Sequence, residues 1–264
     1  MDIQSGTDHR GIAISDVGIS GVRHPVVTGD AATRALVVAE LAIGVQLPAQ
    51  TRGTHMSRLV ELVVEHEEDL TMERLPVVAK RLLSSLDADC GRLQIAFPLV
   101  VSQPAPVSGR RASNVHDARL EVRIDAGEVA VTSAVAVVAT SLCPCSKAVS
   151  DYGAHNQRSR VNVSVTARGD SATMRLPSLV DLVRWAEAAC SCAVYPLLKR
   201  VDERHVTMQA FDHPVFVEDI VRDLAVRLSD VEGPGEFKIR VVNEESIHRH
   251  DAYASLADSL SRGR

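Results

Sequence analysis

Apolar residues recur along this chain with two different periods, and the switches between them mark out its elements. Residues 35–47 are rich in β-branched and apolar types, and the Gly-rich stretch 12–27 before them offers a partner strand. After Gly53 the period lengthens. Met56, Leu59, Val60, Val63 and Val64 follow i, i+3, i+4, i+7, i+8, while Glu61, Glu65, His66 and Glu68 take the other side, so an amphipathic helix is expected with Thr54 as its cap. A second helix is expected to start near Pro76, a residue suited to a first turn, with Val78, Leu82 and Leu86 on one stripe. Residues 93–101 read as a buried strand, and the stretch from there to Val115, with Gln103, Pro104, Pro106, Ser108 and Gly109, reads as an exposed loop.

The same signals then repeat. Leu120, Val122 and Ile124 alternate with Glu121, Arg123 and Asp125, Ala126-Gly127 supplies a short turn, and Val129, Val131 and Val135 resume a strand, which makes a hairpin. Residues 161–165 form a further strand, ending at Arg168-Gly169-Asp170. Ser178 with Asp181 three residues on caps a helix carrying Leu179, Leu182, Val183 and Ala186. Residues 216–228 give another helix, with Val217, Ile220, Val221, Leu224 and Leu228 on one face, and Phe237, Ile239 and Val241 close with a strand. The order strand, strand, helix, helix, strand, strand thus occurs approximately twice, with the change near Gly127, so two modules are expected at 1–126 and 127–264. Consecutive strands joined by short turns favour antiparallel sheets with helices layered on one face, an α+β arrangement.

Charge removes one class of function. With 29 Lys and Arg against 34 Asp and Glu, the formal net charge of -5 argues against nucleic-acid binding driven by bulk electrostatics, and an anionic small ligand would need a local cluster of cations. No apolar run reaches the roughly 20 residues of a spanning helix, and the N-terminus lacks the order of a signal peptide, so no membrane partner and a cytoplasmic location are expected. Five cysteines is an odd number, and four fall in close pairs, Cys143 with Cys145 and Cys190 with Cys192. In a reducing compartment such pairs suggest metal or catalytic chemistry before disulfides.

Reactive side chains are densest in Thr140-Ser141-Leu142-Cys143-Pro144-Cys145-Ser146-Lys147 and Tyr152-Gly153-Ala154-His155-Asn156-Gln157-Arg158-Ser159, between two strands. A thiolate is a strong ligand for zinc-like metals and forms more easily beside a cation such as Lys147, so Cys143, Cys145 and His155 make a chemically plausible site. The alternative is that both cysteines are small buried hydrophobes and His155 a loop histidine. Cys-x-Cys is not a structural-zinc spacing, so any metal site here is open and catalytic. Lys199 to Arg204 reads as a solvated turn, and Glu245 and His248, at i and i+3, align only if their stretch is helical. Cys190 and Cys192, among small apolar neighbours, read as packing residues, and Trp185 as core.

Three phrases jointly resemble the type IB GTP cyclohydrolases: Gly53-Thr54-His55-Met56-Ser57-Arg58, the Cys-Pro-Cys segment continuing to Ser159, and Phe216-Val217-Glu218-Asp219. Asp2-Ile3-Gln4, Val17-Gly18-Ile19, Arg23-His24-Pro25 and Glu245-Ser246-Ile247-His248 look similar too, so the match covers nearly the whole chain. The resemblance implies tandem tunnelling-fold (T-fold) modules whose antiparallel sheets, with paired helices on one face, close into barrels in a homotetramer with active sites at subunit interfaces. It implies conversion of GTP and water to 7,8-dihydroneopterin triphosphate and formate with a divalent metal, Zn2+, Mn2+ or Fe2+. By motif position Cys143 looks like the metal-associated cysteine, Cys145 like a substrate-facing thiol, His155 and Glu203 like further metal-site residues, Glu218 like the guanine anchor, and Glu245 with His248 like catalytic groups near the metal. For the triphosphate the cations expected are Lys147, Arg158, Lys199 and Arg200, with Arg58 behind them. One departure is Val201, where a Pro is expected before Asp202-Glu203. Two other functions fit the same sequence: a nitrile reductase of this fold acting on a deazaguanine with NADPH, and a non-catalytic metal- or nucleotide-binding protein.

Overall fold

The computed structural model describes residues 4, 6–169, 174–233 and 235–259. Asp2, Ile3 and Asp170 lie outside them. The first two strands, β1 (Ile14–Gly29) and β2 (Ala35–Leu47), form an antiparallel pair with Val26 opposite Val37. Gly18 in β1 has a steric cause: a Cβ there would lie 1.9 Å from the carbonyl oxygen of Ile43 across the pair. Helix α1 (Met56–His66) buries Leu59, Leu62 and Val63. Its buried stripe is rotated from the expected one, because Leu62 goes in while Val60 and Val64 stay exposed, and its N-cap is His55 rather than Thr54, with no side-chain cap bond. A two-residue strand, β3 (Leu70–Thr71), pairs parallel with β1 before α2 (Leu75–Leu86), which carries Pro76 in its first turn as expected and buries Val78, Ala79, Leu82 and Leu83.

Strands β4 (Gly91–Pro104) and β5 (Arg111–Asp125) are longer than the sequence suggests. The loop expected up to Val115 shrinks to 105–110, closed by Ala105 N–H to Arg110 O at 2.9 Å and Gly109 N–H to Ala105 O at 3.1 Å. Pro104 ends β4 instead of excluding it, as a strand terminus tolerates a missing N–H. The turn into β6 (Glu128–Leu142) has positive φ at both Ala126 (47°) and Gly127 (87°), the geometry of a two-residue hairpin. There follow α3 (Pro144–Val149), β7 (Asn156–Arg168), α4 (Leu179–Ala189), β8 (Cys192–Ala193), α5 (Arg200–Asp212), α6 (Val217–Ser229), β9 (Gly235–Glu244) and β10 (Ala252–Ser259). The cap foreseen for α4 is present: Ser178 Oγ accepts the Asp181 N–H at 3.0 Å. Neither α5 nor β10 is foreshadowed by periodicity.

The strands pair in the order β10-β9-β7-β6-β5-β4-β2-β1-β3, with β8 on β6, and the pairs β1–β2, β2–β4 and β9–β10 are antiparallel. The architecture is α+β, as expected. The chain forms two compact units, each drawn from three segments: Met1–Pro98, Arg119–Ser133 and Thr166–Met174 in the first, and Leu99–Ala118, Ala134–Val165 and Arg175–Arg264 in the second. The first buries Leu41, Ile43, Leu59, Leu75, Leu82 and Leu93 almost completely, and the second Leu179, Leu182, Leu224, Phe237 and Ile239. Each such side chain contributes roughly 2 kcal/mol relative to leaving it in water. In the second unit α6 packs on α4, β9 and β10, so its five buried residues from Val217 to Leu228 face a sheet and a helix at once. No helix among the described residues is long and apolar enough to cross a membrane.

Candidate active site

Three strand ends of the second unit bring the reactive motif together. Strand β6 stops at Leu142, and Cys143 turns the chain into α3: extended at φ -71°, ψ 119°, it is the N-cap, and its Sγ accepts the Ser146 N–H at 3.4 Å. Pro144, which has no N–H to lose, opens the helix. The Cys143 N–H donates to the His155 carbonyl at 3.1 Å, and the His155 N–H donates to Ser146 Oγ at 3.1 Å, so cysteine and histidine are clipped side by side just before β7 begins. From the end of β9 comes Ser246, whose Oγ lies 3.1 Å from His155 Nδ1. An imidazole engaged at Nδ1 keeps Nε2 for another partner. The neighbouring Glu245 has a buried Oε2 with no hydrogen-bond partner.

Behind these ends runs a buried polar chain. Gln157 Nε2 donates to Ser141 Oγ at 3.2 Å, the hydroxyls of Ser141 and Ser159 are 2.8 Å apart, and Ser159 Oγ is 2.7 Å from Asn243 Oδ1. A serine hydroxyl has one proton and the Asn243 oxygen can only accept, so Ser159 donates to Asn243 and Ser141 donates to Ser159. The bonds run one way across β6, β7 and β9 and fix their relative register directly beneath Cys143, His155 and Glu245. Ser191, also buried, accepts the Leu142 N–H at 2.9 Å and ties in the segment after α4. These serines and Asn243 are absent from the expected site; the available signal is a polar residue at a core-facing position of an alternating strand.

The other expected residues are placed as follows. Cys145 is exposed on α3. Lys147 is engaged within the protein: its ammonium donates to the Phe211 carbonyl near the end of α5 and sits 4.2 Å over the Phe211 ring centroid. Arg158 is exposed, donates to Thr140 Oγ1 at 3.2 Å, and with Asn156, Cys192, Tyr195, Leu198 and Thr207 lines a cavity of about 190 Å³. Lys199, Arg200 and Glu203 are exposed around the first turn of α5, where the sequence suggested only a solvated turn. Glu218 is exposed in the first turn of α6, and that helix is drawn toward the cysteine loop by a 3.1 Å bond from Val215 N–H to Leu142 O. Glu245 and His248 share no helix: residues 245–251 are an irregular loop in which the exposed His248 stacks on His250 at 5.1 Å. Among the described residues no three His, Cys, Asp or Glu side chains gather as a metal-binding group. Cys143 is joined to His155 by a backbone bond, and Glu203 lies on α5.

Cys190 and Cys192 are buried. Burial pushes the Cys190 thiol up to about 12, and Glu187 nearby adds to it; burial raises Cys192 as well. Both are thiols at neutral pH, in keeping with packing.

A large antiparallel sheet carrying helices makes this an α+β protein with a uricase-like tunnelling fold. The sheet superposes on uricase from Arthrobacter globiformis with a TM-score of 0.53 at 10% identity, covering 95% of each chain, a likeness of fold alone. The chain belongs to the family described as type I GTP cyclohydrolase folE2, whose model matches residues 1–254. It is 46% identical over 258 residues to GTP cyclohydrolase FolE2 1 of Dechloromonas aromatica, covering 97% of this chain and 94% of that one. It is 44% identical over 256 residues to GTP cyclohydrolase FolE2 of Bordetella pertussis, covering 96% and 94%.

Proposed function

We propose that the chain is a cytoplasmic GTP cyclohydrolase that converts GTP and water to 7,8-dihydroneopterin triphosphate and formate, the first step toward tetrahydrofolate. The observation that carries this is the clipped pair of Cys143 and His155, with His155 bonded to Ser246 after β9, in a chain with full-length relatives named for that activity.

The donors suit a divalent ion in kind. A half-buried thiol whose sulfur receives one long N–H contact, an imidazole tied at Nδ1 and a buried carboxylate oxygen without a partner are the ligand types of a zinc-class site. Cys143 and His155 would hold Zn2+, Mn2+ or Fe2+, with Glu203 contributed on assembly of a homotetramer. Such an ion supplies Lewis acidity, which makes water nucleophilic near neutral pH. The remaining work falls to side chains. The Glu218 carboxylate accepts two hydrogen bonds from guanine N1–H and the exocyclic amine, a donor pair adenine lacks. Arg158, Lys199 and Arg200 neutralise the triphosphate, and Lys147, held over Phe211, keeps the cysteine helix beside α5. His248 and Glu245 are the groups that move protons as C8 leaves as formate and the ribose rearranges. Cys145, exposed one residue into α3, faces the substrate.

The repeat supports tandem modules at 1–126 and 127–264: β1-β2-β4-β5 and β6-β7-β9-β10 pair in the same sequence order, with α1 and α2 between β2 and β4 and α4 to α6 between β7 and β9. Metal-loaded protein given GTP should release formate and yield a fluorescent pterin after oxidation, without oxidising NADPH. Cys145→Ala should abolish both products while leaving the oligomer intact. Normal turnover by that variant would remove Cys145 from the site; GTP binding without formate would make this a binding protein.

A further inference from the structure

The scheme above leaves one fully buried carboxylate unused. Asp202, at 0% exposure, lies between Lys199-Arg200 and Glu203. Its Oδ1 accepts the N–H groups of Val107 at 2.9 Å and Ser108 at 2.8 Å, and its Oδ2 accepts the Ser108 hydroxyl at 2.6 Å and the Lys199 N–H at 2.9 Å. Burial alone would raise the pKa of this carboxyl, but four donors aimed at its two oxygens overcome that and hold it well below the usual carboxylate range.

The bonds join two places that are distant in sequence: the 105–110 loop between β4 and β5, and the first turn of α5. That helix has little else to fix it. Its only buried residues are Asp202 and Ala210, and Val201, Met208 and Phe211 are all exposed, so no apolar stripe sets its rotation. Of the two polar ties named so far, Lys147 at Phe211 holds its far end and Asp202 its near end. Lys199, Arg200 and Glu203 all project from that near end.

We propose that Asp202 is a positioning residue, latching the β4–β5 loop to the start of α5 so that Lys199 and Arg200 are held ready for the polyphosphate of the substrate. It touches no substrate itself. The inference rests on the reading of these two cations as triphosphate ligands.

Two variants separate positioning from folding. Ser108→Ala removes one donor and leaves the three backbone donors; Asp202→Asn keeps the shape but turns one accepting oxygen into an amide that cannot receive them. Ser108→Ala should raise KM for GTP roughly fivefold, the order expected for one lost hydrogen bond, with kcat within about twofold and the melting midpoint near that of the parent. Asp202→Asn should raise KM further. In a Lys199→Ala, Arg200→Ala background, Ser108→Ala should have no additional effect on KM, because the charges it orients are gone. Amide exchange at Val107, Ser108 and Lys199 should quicken in both variants without general loosening. An unchanged KM in Ser108→Ala and Asp202→Asn, or an equal KM increase when Lys199 and Arg200 are absent, overturns the proposal. Absence of formate from the parent protein would sink the cyclohydrolase assignment instead, and amide exchange would still report on the latch.

Discussion

Glu187 on α4 shows how burial sets the behaviour of a single residue. Its carboxyl is pushed up to about 6, chiefly by desolvation, against the opposing effects of the 3.1 Å bond from Gln103 Nε2 and of Arg184. Its folded pKa therefore exceeds the ordinary glutamate value of 4.5, so the folded state holds the proton more tightly and stability declines as pH rises from about 4.5 through about 6. Glu187→Gln, which keeps an acceptor for Gln103, should match the parent protein near pH 4 and be more stable at pH 8. The gain expected is on the order of 1 kcal/mol, after allowing for partial solvent screening, and is measured by urea unfolding at the two pH values. If the stability difference between the two proteins does not change with pH, Glu187 does not carry this titration. At this scale the Cys-Pro-Cys and His155 motifs were legible because reactive residue types were crowded into a short span. Asp202, Ser141 and Ser159 were not, since a lone Asp or Ser gives no sign in the sequence of whether it faces water or partners brought from as far as 95 residues away.

Elements were legible wherever burial follows a period. Helices α4 and α6 have one apolar stripe each and matched their expected faces, and the Ser178 cap marked where α4 begins. Ser178→Ala should lower stability by about 1 kcal/mol, read as a fall in the urea midpoint with unchanged slope, since the half-buried start of α4 would lose an acceptor for Asp181 N–H. No change in midpoint would mean that water replaces the cap at no cost. By contrast, α5 was read as a solvated turn because its buried pair, Asp202 and Ala210, supplies no hydrophobic rhythm. Helix α1 failed in a subtler way. Five apolar residues fit a helical stripe, yet packing selected Leu62 over Val60 and Val64, a choice made by the neighbouring sheet rather than by the helix itself.

For the whole molecule, the repeated strand and helix order was readable, whereas the compact units were not, because each is stitched from three separate segments. Sequence order records which strands pair with their neighbours; it does not record where long strands such as β4 to β7 pass from one unit to the other. Among the described residues of a single chain no three His, Cys, Asp or Glu side chains gather as a metal-binding group, which is why assembly enters the proposed function. Light scattering should find four chains per particle, and dilution that dissociates them should abolish formate release together with metal retention. A fully active monomer would place the whole site within one chain.

Among the described residues strand β10 is bonded on one side only, Ala252 to Asn243 through Ser259 to Glu236, and its Tyr253 and Leu256 are exposed. Its free edge offers a row of amide and carbonyl groups to any extended chain, including another molecule of the same protein. When such contacts close on themselves, growth stops at a ring. When the closing angle is missed, the same contacts propagate into fibres. Selection on this outer strand therefore acts on solubility as much as on catalysis.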